Sequence, residues 1–110
     1  TLYAIPTRVL SYGTASEAEK SVFKIQKTPA PDGMIFDEKG NLYLADLEKN
    51  KIMARDKSGN LTVITAGENV RWADTFSIYN GELYYSNSRI HEAKADIADL
   101  NFTIYKIKIK

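Results

Sequence analysis

Residues 32–46 read Asp-Gly-Met-Ile-Phe-Asp-Glu-Lys-Gly-Asn-Leu-Tyr-Leu-Ala-Asp, and this stretch decides the fold. Two short apolar runs flank a turn at residues 38–40, where Gly40 can take the positive φ that a tight hairpin needs. The pattern predicts two antiparallel strands, at residues 33–37 and 41–46, with an acidic residue at each end of the unit.

The chain makes this unit again at residues 74–87, which read Asp-Thr-Phe-Ser-Ile-Tyr-Asn-Gly-Glu-Leu-Tyr-Tyr-Ser-Asn. The offset is 42 residues from Asp32 to Asp74 and 41 residues from Leu42 to Leu83. Spacing of this size is typical of β-propellers, in which each blade is one four-stranded sheet. The pair Asn80-Gly81 is the strongest short-range signal for a type I′ hairpin turn.

Further strand-like runs flank the two hairpins, at residues 1–6, 21–27, 51–56, 61–65 and 102–107. With strands labelled A to D from the propeller axis outward, their order is C-D, A-B-C-D, A-B-C. We therefore predict an all-β chain that is one partial propeller domain over residues 1–110. Its parts are the outer strands of one blade at residues 1–27, a complete blade at residues 32–65 and a blade lacking its outermost strand at residues 74–110.

Two segments depart from the strand pattern. Ser16 and Glu19 have capping-box spacing, which indicates either a short helical turn or a loop near residues 16–20. A polar insert at residues 91–100, with weak helical spacing, interrupts the second unit.

The composition excludes several classes of protein. The chain has 110 residues, 44% of them hydrophobic, and a net charge of +1, which argues against a nucleic-acid partner. It has no cysteine, so there is no disulfide framework and no thiolate nucleophile. No apolar run approaches the roughly 20 residues that span a bilayer, so we expect no membrane partner.

Two and a fraction blades cannot close a ring, and an open arc would leave apolar blade faces exposed. We expect the remainder of the propeller to come from another chain or another part of the gene, or from homo-oligomeric copies of this chain.

Four segments carry a resemblance to a known family. They lie at residues 2–7, 31–43, 71–77 and 104–109, and the most specific is Arg71-Trp72-Ala73-Asp74-Thr75 followed by the Asn-Gly turn. Together they resemble the C-terminal third of the major royal jelly and Yellow protein family, particularly its bacterial members.

The resemblance implies a six-bladed propeller with a ligand cavity at its axis, and a secreted or periplasmic location. Members of that family bind small aromatic amines or lipids, or are named for dopachrome-converting activity. Family membership of this kind constrains the fold better than the chemistry.

Asp32 and Asp74 hold equivalent positions at the entry to the innermost strands, so in a closed ring both would lie near the axis at one end. Two such carboxylates can bind a cation or an ammonium group, or one can transfer a proton. An Asp before a strand also commonly caps its own loop. Asp46 and Asn87, at the ends of the second strands, are candidate ligands of a hard cation or simply turn residues.

Trp72 is the only tryptophan and His91 the only histidine. Trp72 either lines the cavity mouth, where it would stack on an aromatic or cationic ligand, or wedges between blades. His91 is either a general base or an exposed loop histidine.

The sequence therefore predicts binding of a small organic ligand, an aromatic amine or a related metabolite, in an axial pocket. The predicted ligand-binding residues are Asp32, Trp72, Asp74 and Asn87. No catalytic residue, metal ligand or cofactor is assigned. The alternatives are a dopachrome-type isomerase, a lactonase-like hydrolase that would use calcium, and a truncated structural piece without a site.

Overall fold

The computed structural model describes residues 1–94 and 96–109 and is mostly β, with 42% strand and 15% helix. The strands form three antiparallel sheets of two, four and three strands, which do not close on themselves. Within these residues, the grouping into two, four and three strands confirms the predicted number of strands in each unit. Ala95, in the predicted polar insert, and Lys110, at the end of the predicted third unit, lie outside the described residues.

The first sheet pairs β1 (Leu2–Ala4) with β2 (Phe23–Gln26), and two short helices connect them. The first, α1 (Thr7–Tyr12), follows Pro6, whose backbone is extended and whose side chain provides no cap. It was not predicted. The second, α2 (Ala15–Ser21), confirms the helical turn, one of the two alternatives for this segment, but its cap lies two residues before the predicted one. Thr14, not Ser16, caps it, and Glu17 completes the capping box.

The second sheet has the order β3 (Met34–Phe36), β4 (Leu42–Asp46), β5 (Lys51–Arg55) and β6 (Leu61–Ala66). All five residues of β4 are buried, as expected for a strand covered on both faces. Gly40 has φ of +82°, which confirms its predicted role in the hairpin turn.

The same pair of side-chain hydrogen bonds closes two turns of this sheet, between β3 and β4 and between β5 and β6. Asp37 accepts hydrogen bonds from the backbone and the side-chain amide of Asn41, at 2.8 Å each. Asp56 accepts the same two bonds from Asn60, at 2.9 and 2.8 Å. Asp-x-x-Gly-Asn is thus the signature of both turns, and it stands in the sequence at residues 37–41 and 56–60.

The third sheet has the order β7 (Ala73–Tyr79), β8 (Glu82–Asn87) and β9 (Thr103–Lys108). Asn80 and Gly81 both have positive φ, 49° and 74°, as a type I′ turn requires. The segment between β8 and β9 contains a short 3₁₀ helix at Ile90–Glu92.

The core lies between the second and third sheets. Its buried members come from β4, β5, β7, β8 and the loop before β7: Tyr43, Ala45, Ile52, Val70, Ala73, Phe76, Leu83 and Tyr85. Complete burial of a large apolar side chain contributes about 1.5–3 kcal/mol. The packing of this cluster is therefore the main stabilising contact between the two sheets.

The first strands of these two sheets, β3 and β7, meet at Gly33. Its N–H donates to the carbonyl of Ala73 over 3.3 Å, and a Cβ at Gly33 would lie only 2.5 Å from the carbonyl oxygen of Asp74. Only glycine allows this approach of the two backbones. The contact places the entries of β3 and β7 side by side, and these entries carry the predicted site residues.

Candidate functional site

The candidate site lies at one end of the second and third sheets, where β3 and β7 begin and β8 ends. We call it the Trp72 edge, and it comprises Asp32, Trp72, Asp74, Asn87 and His91. The two chain segments that enter it, residues 27–33 and 67–72, are the loops that connect consecutive sheets.

Trp72 and Asp32 are joined directly. The indole N–H of Trp72 donates to Oδ2 of Asp32 over 2.8 Å, which links loops 40 residues apart in the chain. The backbone of Trp72 is left-handed, with φ of +59°, and its carbonyl accepts a hydrogen bond from the N–H of Ser88 at 3.1 Å. A bulky residue in this conformation is strained by about 1–3 kcal/mol and is found where the surroundings enforce it, often at binding sites.

His91 stacks on Trp72. The ring centroids are 5.2 Å apart and the planes differ by 21°. The 3₁₀ helix at Ile90–Glu92 carries the imidazole to this position. His91 is exposed, as one of its two predicted alternatives requires, but it also orients the indole, which the sequence did not indicate.

An ion cluster joins Arg71 and Glu92, the residues next to Trp72 and His91 in the sequence, and also includes Arg89. Glu92 lies 2.8 Å from Nε of Arg71 and accepts a hydrogen bond from Nε of Arg89 at 3.0 Å. The bond from Arg89 and the nearby charges of Arg71, Arg89 and His91 hold the pKa of Glu92 below its ordinary value, although partial burial acts in the opposite direction. The lowered pKa favours the charged form of Glu92, which forms ion pairs with Arg71 and Arg89.

Asn87 is buried, with 2% of its surface exposed, and its amide is used within the protein. Its oxygen accepts from the N–H of Arg71 at 3.1 Å, and its nitrogen donates to the carbonyl of Asn69 at 2.8 Å and to Thr103 at 3.5 Å. These bonds hold the loop that presents Trp72. Asn87 thus acts on the Trp72 edge through the position of the loop.

Asp32 and Asp74 keep free carboxylate oxygens. Thr75 donates weakly to Asp74, at 3.4 Å, and Trp72 donates to one oxygen of Asp32. Within residues 1–94 and 96–109, neither carboxylate forms an ion pair with a lysine, an arginine or the histidine. Among the described residues the edge therefore carries two carboxylates without an ion-pair partner, and one of them, Asp32, is bonded to the indole of Trp72.

The structure brings Asp32 and Trp72 into contact, sets Asp74 against Gly33 through the backbone, and places Asn87 beneath the loop. The sequence analysis missed Arg71, Arg89 and Glu92. The spacing Arg89-x-x-Glu92 is a usable signal for an ion pair on one turn of helix. The approach of Arg71 has no such signal, because it depends on how two distant loops fold together.

Among the described residues, no three side chains of the types Asp, Glu, His and Cys lie close enough to hold a metal ion. Asp46 is buried at the end of β4, in the position that matches Asn87. A cavity of about 520 Å³ lies at the other end of the strands, between residues 41–64 and the end of β9, away from Trp72.

None of the helices in the described segments is long and apolar enough to cross a membrane. No model of a known protein family matches the chain, and no curated protein matches it significantly. The resemblance described above therefore stays a prediction.

Proposed function

We propose that the three sheets are parts of successive blades of a β-propeller like that of the major royal jelly and Yellow family. The support is geometric. The innermost strands β3 and β7 lie side by side and carry matching residues, and each sheet passes to the next through a loop of similar length, residues 27–33 and 67–72. A radial repeat of this kind is how propellers arrange their blades.

We further propose that the Trp72 edge binds a small organic cation that carries an aromatic group, such as an aromatic amine. The observation that carries this proposal is the hydrogen bond from Trp72 to Asp32. The backbone of Asp74, whose carboxylate has no ion-pair partner among the described residues, meets the chain at Gly33, directly after Asp32. The bond fixes the indole and leaves one oxygen of Asp32 free. An ammonium group held by the two carboxylates would place its aromatic substituent against the indole.

The energies favour this class of ligand over a neutral one. A cation against an aromatic face gains about 0.5–2 kcal/mol, and hydrogen bonds between charged groups are worth about 1.5–3 kcal/mol each. A neutral aromatic molecule would keep only the stacking. In this proposal Asn87 contributes by holding the loop, and the rest of the pocket comes from other propeller segments or copies of the chain.

Fluorescence tests the proposal directly, because Trp72 is the only tryptophan. Phenethylamine is titrated into the protein, with 2-phenylethanol as the neutral ligand of matched size. We expect the amine to quench Trp72 fluorescence saturably and the alcohol to have at most a weak effect. Asp74→Asn should weaken the amine response, while Glu48→Gln, a change at an exposed turn residue, should leave it unchanged.

Equal responses to the amine and the alcohol, or no saturable response to either, would contradict the proposal. A calcium titration in the same buffer separates the hydrolase alternative. A ligand that binds the native state raises its melting temperature, so a rise with calcium and none with amine would favour the metal-assisted enzyme.

A further inference from the structure

Two matching residues of the innermost strands differ in exposure. Counted from Asp32 and Asp74, Met34 of β3 corresponds to Phe76 of β7. Phe76 is 8% exposed and belongs to the core, whereas Met34 is 50% exposed. The strands present the same kind of apolar side chain, but only one of them is covered.

The next residue on the same face of each strand shows the same difference in exposure. Ile78 of β7 packs against the core, and its counterpart, Phe36 of β3, is 65% exposed. The intervening Ile35 faces the core on the opposite side. The uncovered side chains therefore all lie on the face of β3 that is turned toward the first sheet.

These side chains line a groove of about 330 Å³ between the first and second sheets. Its other wall comes from the first sheet, and the main apolar lining residues are Leu2, Tyr3, Ile25, Met34, Phe36 and Leu42. Within the described chain β1 pairs with β2 alone, so its other edge is open to a further strand. The groove thus combines an apolar floor with a free strand edge.

The second sheet shows what covers such a face. The face of β7 that bears Phe76 is covered by the second sheet, in which β4 contributes Tyr43 and Ala45 and β5 contributes Ile52. The strands β1 and β2 hold the places of β5 and β6, since in both sheets the later of the two leads through a connecting loop to the next innermost strand. The places of β3 and β4 beside β1 are empty in the described chain.

We propose that this groove is the docking surface for an antiparallel β-hairpin, one strand of which pairs with the free edge of β1. Its side chains that face β3 are apolar, one aromatic and one small like Tyr43 and Ala45, and they cover Met34 and Phe36. Addition of a strand to an open sheet edge is a common mode of recognition between chains. The inference rests on the propeller arrangement proposed above and is independent of the ligand.

The chain itself supplies the probe. In an extended variant, a copy of residues 32–50 is placed directly before Thr1, so that copies of β3, β4 and the following turn lead into β1. In the copy Met34 is replaced by Leu. The tether raises the effective concentration of the hairpin to the millimolar range, so a weak intrinsic affinity is sufficient.

Methyl NMR with a soluble paramagnetic reagent is the measurement. The native chain has two methionines, Met34 in the groove and Met53 in β5, and the Met53 signal reports that the second sheet remains folded. We expect the paramagnetic broadening of the Met34 methyl to be lost in the extended variant. A control with Tyr43→Asp and Ala45→Asp in the copy alone should restore it.

Persistent broadening of Met34 in the extended variant, with Met53 unchanged, would overturn the proposal. So would equal protection by the control copy. Protection of Met34 in the unextended chain that grows with protein concentration, together with a dimer mass, would also overturn it, because the occupant would then be a second copy. None of these outcomes depends on amine binding.

Discussion

The indole of Trp72 and the carboxylate of Asp32 meet across the junction of two sheets, 2.8 Å apart. Each residue lies on a loop that leads into the first strand of a sheet, and neither loop alone determines where its side chain points. The hydrogen bond makes the two loops one surface. The candidate binding residues therefore respond to each other's substitution.

A double-mutant cycle measures this coupling. We expect Trp72→Phe and Asp32→Ala each to destabilise the protein, with a coupling free energy of about 0.5–1 kcal/mol, because the bond is exposed to solvent. Urea denaturation of the four proteins gives the value. Trp72→Phe with Glu48→Ala is the matched pair without a contact, and coupling of the same size in that pair would show that the bond has no specific role.

Substitution of Gly33 tests the close approach of β3 and β7. We expect Gly33→Ala to destabilise the protein by about 1–3 kcal/mol, since the added Cβ would meet the carbonyl oxygen of Asp74. It should also shift the emission of Trp72. Gly81→Ala is the control, because its Cβ enters open space and only the positive φ resists it. An unchanged emission spectrum in Gly33→Ala would mean that the two loops tolerate separation.

Asn87 is expected to support the loop of Trp72 through its amide. Asn87→Ala leaves the partly buried N–H of Arg71 without its partner, and we expect a loss of about 1–2 kcal/mol in the free energy of unfolding. Hydrogen exchange should then quicken at residues 69–72. Asn101→Ala, at an exposed position, should stay within about 0.5 kcal/mol of the parent. Equal exchange in both variants would contradict the supporting role.

The hydrogen bonds that Asp37 and Asp56 accept in their turns predict a dependence of stability on pH. Partial burial raises the pKa of Asp37, but the bonds from Asn41 and Tyr43 outweigh it, so the pKa lies below its ordinary value. The bonds from Asn60 lower the pKa of Asp56. Because both are lower in the folded state, their contribution is complete above the unfolded pKa and is lost as the pH falls through the folded pKa.

We therefore expect the melting temperature to fall from about pH 5 downward, and to fall less in the variant Asp37→Asn with Asp56→Asn. Glu48→Gln is the control for the removal of an exposed carboxylate. The same acid profile in the parent and the double variant would place the pH sensitivity elsewhere.

The strands were predictable from the sequence because their signals are local. Apolar alternation, the glycine turns and the Asn80-Gly81 pair each act within a few residues, and they gave the three sheets and their strand numbers. The helix α1 lacked such a signal, and the cap of α2 was assigned to Ser16 although Thr14 and Glu17 have the same spacing. A spacing rule cannot choose between two pairs with the same spacing, two residues apart, when the chain offers both.

The candidate site was predictable only in part. Asp32, Trp72 and Asp74 stood out through the repeat, but the bond from Trp72 to Asp32 and the stack on His91 join segments that only the folded sheets bring together. The same holds for the approach of Arg71 to Glu92. Contacts between loops depend on the packing of the elements that carry them, so they have no periodic signature.

The junction at Gly33 has a consequence for how such a protein changes over generations. The separation of the two loop entries is set by main-chain atoms of residues 33, 73 and 74, whereas the chemistry is carried by the side chains at positions 32, 72 and 74. The spacing of the two loops thus depends on the main chain, whereas the groups that the edge presents depend on the side chains. Point substitutions at these three positions can change the side chains that the edge presents while the separation of the two loop entries is preserved.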